Sequence, residues 1–328
     1  MVELVALSEA MREAAAMAER VAATDANVLI TGESGAGKEA VANFIHSRSR
    51  RAMQPLVKID CATLPADLLE AELFGYERGA FTGAAEAKPG RLEAAHRGTL
   101  VLDEIAHLPL DAQAKLLRVI EQREFERLGG RKTISVDARL IALTNADLKS
   151  AVERRAFRDD LFYRLNVVHI QVPPLRERWK DLDSLARQFV NTYSTKHGTR
   201  AKRISGEALR YLKNYDFPGN VRELANIIER AAIVANGSSI AVIDLPEGLR
   251  AAADRRSNEN KRPTLSEVEA DYIREVLAST NGNKAEAARI LGISRKNLYE
   301  RLAREEQTSE VRDQMSEIRG QTSVRTKS

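Results

Sequence analysis

One cysteine, Cys61, stands in a chain of 328 residues, which leaves no disulfide framework to build. Five histidines, at 46, 96, 107, 169 and 197, are scattered without the close pairing that a zinc site needs. No apolar run approaches the roughly 18 residues that a membrane crossing takes. The opening MVELVALSEAMREAAAMAER is studded with Glu and lacks the apolar core of a secretion signal. Aromatic residues make up only 5%, yet hydrophobic residues reach 43%, enough to bury real cores and exclude wholesale disorder. These absences leave a soluble, cytoplasmic chain with no membrane partner, long enough for two or three domains. Charge is nearly balanced: 51 Lys and Arg against 47 Asp and Glu give +4, too thin to steer a partner if spread evenly.

Residues 1–172 alternate two periodicities. Apolar residues recur at helical spacing over 8–22, 39–48, 67–73 and 111–122, and short β-rich runs fall at 27–31, 56–59, 99–102, 140–144 and 167–172. Strands separated by helical connections predict an α/β fold with a parallel sheet covered on both faces. Pro173-Pro174 stops the pattern, since neither residue continues a helix or a central strand. From 179 to about 235 the reading is entirely helical, with a break at Pro218-Gly219, and predicts a small helical domain over 173–243. Residues 244–263 include AAADRRSNENKRP, which has no core-forming pattern and reads as a linker. Three short helices are expected over 264–304, with turns at 281–283 and Gly292, and a polar, disordered tail over 305–328.

The run VLITGESGAGKEAVANFI sets a strand, then Gly32-Glu33-Ser34-Gly35-Ala36-Gly37-Lys38, then a helix. This is the GxxxxGK phosphate loop in its required context: glycines let backbone N–H groups turn onto phosphates, and the helix N-terminus adds a favourable dipole. Lys38 would meet the β- and γ-phosphates, whereas Glu39 takes the place of the usual Ser/Thr ligand of Mg²⁺. A Gly-rich turn that binds nothing is the bland alternative, and the flanking strand and helix weigh against it. TLVLDEI ends a strand in two carboxylates: Asp103 is placed to hold Mg²⁺ through water, and Glu104 to orient and deprotonate the attacking water. Asn145 ends IALTN and either aligns that water or forms a turn. Arg158 and Arg164 either stabilise charge on a transferring phosphoryl group, from a neighbouring subunit, or pair on the surface with Asp159 or Asp160. Arg222 either reaches the nucleotide across a cleft or pairs with Glu223 or Glu229.

In order along the chain come GESGAGKE, ELFGYERGAFTGA, GTLVLDEI, FRDDLFYRLNVV, PPLRER and FPGNVREL. The set resembles the AAA+ ATPase domain of bacterial sigma-54-dependent transcription activators over about residues 4–248, and the C-terminal helices resemble a Fis-type helix-turn-helix. The hexapeptide Gly79-Ala80-Phe81-Thr82-Gly83-Ala84 is the most specific element, since other AAA+ ATPases lack it. The resemblance implies an α/β P-loop NTPase with a parallel sheet, a helical lid and an all-α DNA-binding end. It implies ATP and Mg²⁺ as ligands, a dimer that assembles into a hexameric ring, and sigma-54 RNA polymerase and enhancer DNA as partners. By the same resemblance the hexapeptide is the tip of a mobile loop that contacts sigma-54, chiefly through Phe81 and Thr82. Arg158 and Arg164 match trans-acting arginine fingers, Asn145 the sensor I position and Arg222 the sensor II position, and Glu39 is usual.

Two residues depart from the pattern. Asp60 stands where most members carry an Asn that holds the catalytic glutamate switched off, and an Asp facing Glu104 would repel it unless one is protonated or a cation bridges them. Phe217 replaces the usual Trp before Pro-Gly-Asn. No receiver or sensing domain precedes residue 1, which implies a chain stripped of it or a member regulated by other means. Two rival functions share parts of this pattern: a DNA-binding regulator that does not use the loop, and an AAA+ remodeller of replication, which lacks the hexapeptide.

In 281–304, Ala287, Ala288, Ile290 and Leu291 are expected on one apolar face, with Gly292 at the turn and Ser294 capping the next helix. Leu298 and Leu302 would face inward, leaving Ser294, Arg295, Lys296, Asn297 and Arg301 at the front of a helix aimed at a DNA groove. The helix around 265–277 is expected to pair two copies. These 24 residues hold six Lys or Arg and two Glu, which is the whole net charge of the chain. The thin +4 is thus concentrated where phosphates would meet it.

Overall fold

The computed structural model describes residues 4–201, 203–260, 265–280 and 282–302. The chain divides into two compact units, Met1–Arg256 and Ser257–Ser328. The first unit is built on five parallel strands: β1 (Val28–Thr31), β2 (Leu56–Asp60), β3 (Thr99–Asp103), β4 (Arg139–Thr144) and β5 (Val168–Gln171), in the order β2-β3-β4-β1-β5. Alternation along the strands sorts their side chains to two faces. Val28, Ile30, Val101, Ile141, Leu143 and Ile170 pack with α1 (Glu9–Ala22) and α2 (Lys38–Ser47). Leu29, Ile59, Leu100, Leu102, Leu140 and Ala142 pack with α3 (Ala66–Phe74), α4 (Leu110–Gln122) and α5 (Asp159–Leu165). Every residue of β4 is buried, as a central parallel strand requires.

Two hairpins stand outside this sheet and were not expected. Gly75–Tyr76 pairs antiparallel with Lys88–Pro89, and Glu124–Glu126 with Thr133–Ser135. They brace each other: the Glu77 N–H donates to Leu128 O and the Leu128 N–H to Gly75 O, both at 2.9 Å. Their strands are two and three residues long, too short for a period to register.

After the two prolines come α6 (Trp179–His197), α7 (Gly206–Lys213) and α8 (Asn220–Val234), with a core of their own. This part is not entirely helical, because Arg203–Ile204 pairs parallel with Ser239–Ile240. Nor are residues 244–263 a plain linker: Glu247–Asn260 is helical, and Leu249 and Ala253 are buried. Two buried apolar residues four apart are too thin a stripe to stand out in a polar run. Residues 261–263, expected in that linker, and the tail 305–328 lie outside the described residues.

One buried carboxylate of the helical part holds the chain just before α1. Asp181, fully buried in the first turn of α6, accepts from the N–H groups of Leu7 (2.6 Å) and Ser8 (2.7 Å) and from Ser8 Oγ (3.0 Å). Ser8 is the N-cap of α1 and makes no side-chain cap of its own, so α1 borrows its cap from α6.

In the second unit, α9 (Leu265–Ser279) and α10 (Lys284–Ile290) are followed by helical residues at 295–302. Its core holds Ile273, Val276, Ala287, Ala288 and Leu298. Ile290 is half-exposed instead of buried, because it sits about 110° around the helix from the middle of the face that Ala287 and Ala288 bury. Asn281, part of the expected turn, lies outside the described residues.

Candidate active site

The loop between β1 and α2 brings its lysine back onto itself. Lys38, 6% exposed, donates to Gly32 O at 2.8 Å and Glu33 O at 3.3 Å and lies 3.7 Å from Glu104. Burial lowers its pKa, opposed by the charges of Glu104 and Asp103. Glu104 follows the end of β3 in a left-handed backbone conformation (φ 51°), and its Oε2 accepts from the Asn145 N–H at 3.1 Å. Asn145 therefore touches Glu104 through its main chain. A non-glycine residue held at positive φ is strain that costs about 1 kcal/mol or more, retained here where two strand ends meet the loop.

Asp103 and Glu39 lie on either side of Lys58, whose ammonium is 3.0 Å from Asp103 Oδ2 and 2.8 Å from Glu39 Oε2. Burial opposes the Lys58 charge, but the bonds to Glu39 and Asp103 outweigh it and raise its pKa. Among the described residues no group of three or more His, Cys, Asp or Glu is placed to hold a metal ion, so a Mg²⁺ here would rest on these carboxylate oxygens, of the hard kind it takes, together with ligand and water. Asp60 ends β2 in register with Asp103, the residue before Glu104. Its Oδ1 accepts from the Ala62 N–H at 2.9 Å, closing its own turn, while Glu104 is held by Asn145 and Lys38.

The helical part closes onto the loop. Arg222 donates to Ser34 Oγ at 3.0 Å, not to Glu223 or Glu229, and the N–H groups of Val221 and Arg222 reach Gly35 O at 3.0 and 3.3 Å. Gly35 has φ 72°, and a Cβ there would run into the Gly219 carbonyl, so only glycine admits this approach. Buried Arg178 donates to Ala36 O and to Met11 Sδ. The Glu33 side chain points at the helical part and is bonded by Arg176 and Asn220. Lys58, Arg176, Arg178 and Asn220 escaped the sequence reading. Three of them lie inside the quoted PPLRER and FPGNVREL, where a motif was visible but not what each position touches.

Arg158 and Arg164 are not drawn into this cluster. Arg158 makes a two-pronged pair with Asp160 (3.0 and 2.7 Å), and Arg164 pairs with Glu121 at 3.0 Å. Both are exposed on the surface of the sheet layer. The hexapeptide sits between the strands of the first hairpin. Gly79 (φ 81°) and Gly83 (φ 107°) flank its tip with open space around them, and Thr82 is exposed. Phe81 is 41% exposed and meets Tyr76 edge-on with ring centroids 5.0 Å apart, so it does not enter the core. Ala80 is half-buried, and Ala84 is buried, its N–H donating to Phe81 O at 3.0 Å.

In the second unit, Ser294 Oγ accepts from the Asn297 N–H at 3.2 Å and caps the helix that begins at 295. Arg295, Lys296 and Asn297 are exposed. Arg301 does not project outward as expected: it is half-buried and pairs with Glu269 of α9. Three residues on from buried Leu298, it lies only about 60° from the inward face of the helix.

Known proteins reproduce this order of parts. Residues 4–171 match the Sigma-54 interaction domain, 176–262 the AAA+ ATPase lid domain, and 264–304 the Fis family of bacterial regulatory proteins. Regulatory protein AtoC of Escherichia coli is 45% identical over 90% of this chain and 66% of its own length. Transcriptional regulatory protein FlbD of Caulobacter vibrioides is 44% identical over 91% and 69%. The formate hydrogenlyase transcriptional activator FhlA of Escherichia coli is 45% identical over 92% and 44%. This chain thus spans about half to two thirds of the relatives it matches. Among solved structures, NtrX from Brucella abortus in complex with ADP superposes with a TM-score of 0.69 at 35% identity, covering 92% of this chain and 69% of that one. With the five-stranded parallel sheet, the phosphate loop and the helical lid in place, the chain belongs to the family of sigma-54 interaction domain proteins, AAA+ P-loop NTPases that here carry a Fis-type regulatory domain.

Proposed function

We propose that this chain is an ATP-driven transcription activator that binds enhancer DNA and remodels sigma-54 RNA polymerase from a closed to an open promoter complex. The observation that carries the reading is the meeting of Lys38, Glu104 and Asn145 at one loop and two strand ends, in the unit that also bears the intact hexapeptide. The loop from Gly32 to Lys38 would cradle the phosphates, including Ser34, Gly35, Ala36 and Gly37, with Lys38 on the β- and γ-phosphates and Arg222 approaching from the lid. Glu104 would accept the proton of the attacking water at its carboxylate, while the Asn145 N–H keeps that carboxylate aimed. Asp103, with Glu39 beside it, would hold Mg²⁺, which neutralises charge on the phosphates when bound. Arg158 and Arg164, exposed and paired with Asp160 and Glu121, would serve a neighbouring copy's nucleotide in a hexameric ring.

Phe81 and Thr82, at the exposed tip between Gly79 and Gly83, would meet sigma-54, and Arg295, Lys296 and Asn297 would meet DNA, with Arg301 bracing their helix through Glu269. That NtrX has been solved with ADP and with ATP supports the nucleotide. No helix among the described residues is long and apolar enough to cross a membrane. The deciding experiment is transcription in vitro from a sigma-54 promoter, with and without ATP. Open complexes that form only with ATP support the proposal, and ATP-independent or absent activation would overturn it.

A further inference from the structure

Three motifs that identify this chain by their order carry residues whose work is not yet accounted for: Glu33 of the phosphate loop, Arg176 of PPLRER and Asn220 of FPGNVREL. They are 143 and 187 residues apart in sequence, and all three meet at one carboxylate. Arg176 forks onto Glu33, with its Nη atoms 2.9 and 2.6 Å from the two Oε atoms. Asn220 Nδ2 donates to Glu33 Oε2 at 3.0 Å and to Ser34 O at 3.1 Å. The amide oxygen of Asn220 accepts from the Leu175 N–H at 2.8 Å, on the short turn that leads into α6. Asn220 is fully buried and held at φ 54°, two residues before Arg222 on the same helix. A buried amide in a strained backbone, with every bond directed to the loop or the hinge, is what a positioning group needs. Ordinary helix starts spend such a side chain on their own backbone.

We propose that Glu33, Arg176 and Asn220 form a latch that fixes the lid against the phosphate loop and so sets Arg222 over Ser34, making them positioning residues for the bound nucleotide. The inference rests on the nucleotide reading above. In the latch, Asn220 is the keystone, since it alone touches the loop, the hinge and the helix that carries Arg222. Arg176 closes the solvent side, and its fork supplies geometry that a lysine would not. Arg222 then acts through a position given to it and not through its own charge alone.

Asn220→Asp tests this with a change of one atom group. Aspartate tolerates the left-handed backbone and keeps the oxygen that Leu175 needs, but it sets a carboxylate against Glu33 and the Ser34 carbonyl. Nucleotide affinity is read directly, with a fluorescent ATP analogue and Mg²⁺. Asn220→Asp should weaken binding about tenfold. Adding Glu33→Gln removes the repulsion and should restore at least half of that loss on a logarithmic scale. In an Arg222→Ala background, Asn220→Asp should cost less than twofold, because the residue it positions is gone. Arg176→Gln, on the exposed side, should weaken binding about threefold to fivefold without touching the buried amide. Wild-type binding with Asn220→Asp and Arg176→Gln both unaffected would overturn the latch, as would failure of Glu33→Gln to rescue. Absence of nucleotide binding in the wild type would instead overturn the underlying reading.

Discussion

Gly35→Ala is the sharpest test of how the lid meets the phosphate loop. At φ 72° an alanine pays about 1–2 kcal/mol for the left-handed conformation. Its Cβ would also collide with the Gly219 carbonyl and stand 3.0 Å from Arg222 Cβ. Neither neighbour is the end of a flexible chain, so relief requires the first turn of α8 to back away, a cost of about 1–3 kcal/mol. The backbone cost is paid with the lid docked or not, so the collision, about 1–3 kcal/mol, is what falls on one contact: Gly35 O accepting from the N–H groups of Val221 and Arg222. At about 1.4 kcal/mol per tenfold, the docked lid should lose at least a factor of about 5 in population. Hydrogen exchange at the amides of Val221 and Arg222 is the direct assay, with the amides of central β4 as an internal control. Protection should fall at the first pair and persist in the strand. Unchanged protection at 221 and 222 would refute the claim that this glycine is required by the close approach.

Three further outcomes follow from the same geometry. Glu104→Gln should cut ATP hydrolysis about 100-fold or more while nucleotide affinity stays within a few fold, measured by phosphate release and direct binding. Full turnover would remove Glu104 as the base. Thr82→Ala changes an exposed loop residue, so ATPase activity should hold while opening of a sigma-54 promoter is lost, and normal opening would end the loop assignment. His46 is buried with its Nδ1 2.9 Å from Thr99 Oγ1, and burial lowers its pKa. Its folded value lies below the unfolded one near 6.5, so the unfolded chain binds the extra proton. Stability should therefore fall as pH drops below about 6.5, by at most about 1.4 kcal/mol per pH unit, and His46→Gln should flatten that part of the profile.

Much of the sheet was legible because period and place agree. Val28–Thr31, Thr99–Asp103 and Arg139–Thr144 are buried runs that end beside the phosphate loop, Glu104 and Asn145, whereas Leu56–Asp60 and Val168–Gln171 each bury one residue and leave others exposed. Short elements were not legible. The hairpin Glu124–Glu126 with Thr133–Ser135 shows only its Gly129-Gly130 turn in sequence, and its meaning comes from bracing Glu77. At the site, residue types announced Lys38, Asp103 and Glu104, since loop and strand end are adjacent to them in sequence. Long-range partners did not announce themselves. Nothing near Asp60 says that its carboxylate closes a turn, and nothing near Arg301 says that Glu269 of another helix receives it. Such choices are made by packing, after the chain has folded.

The cap that α1 borrows from Asp181 has a mechanical consequence. A lid tied by a buried, triply bonded carboxylate to Leu7 and Ser8 cannot move off that point without breaking three hydrogen bonds and leaving a buried charge unpaired. One turn along, Arg178 grips the phosphate loop at Ala36. The first turn of α6 therefore holds the chain before α1 and the phosphate loop from the same short stretch, so a substitution at residue 181 would be felt at both.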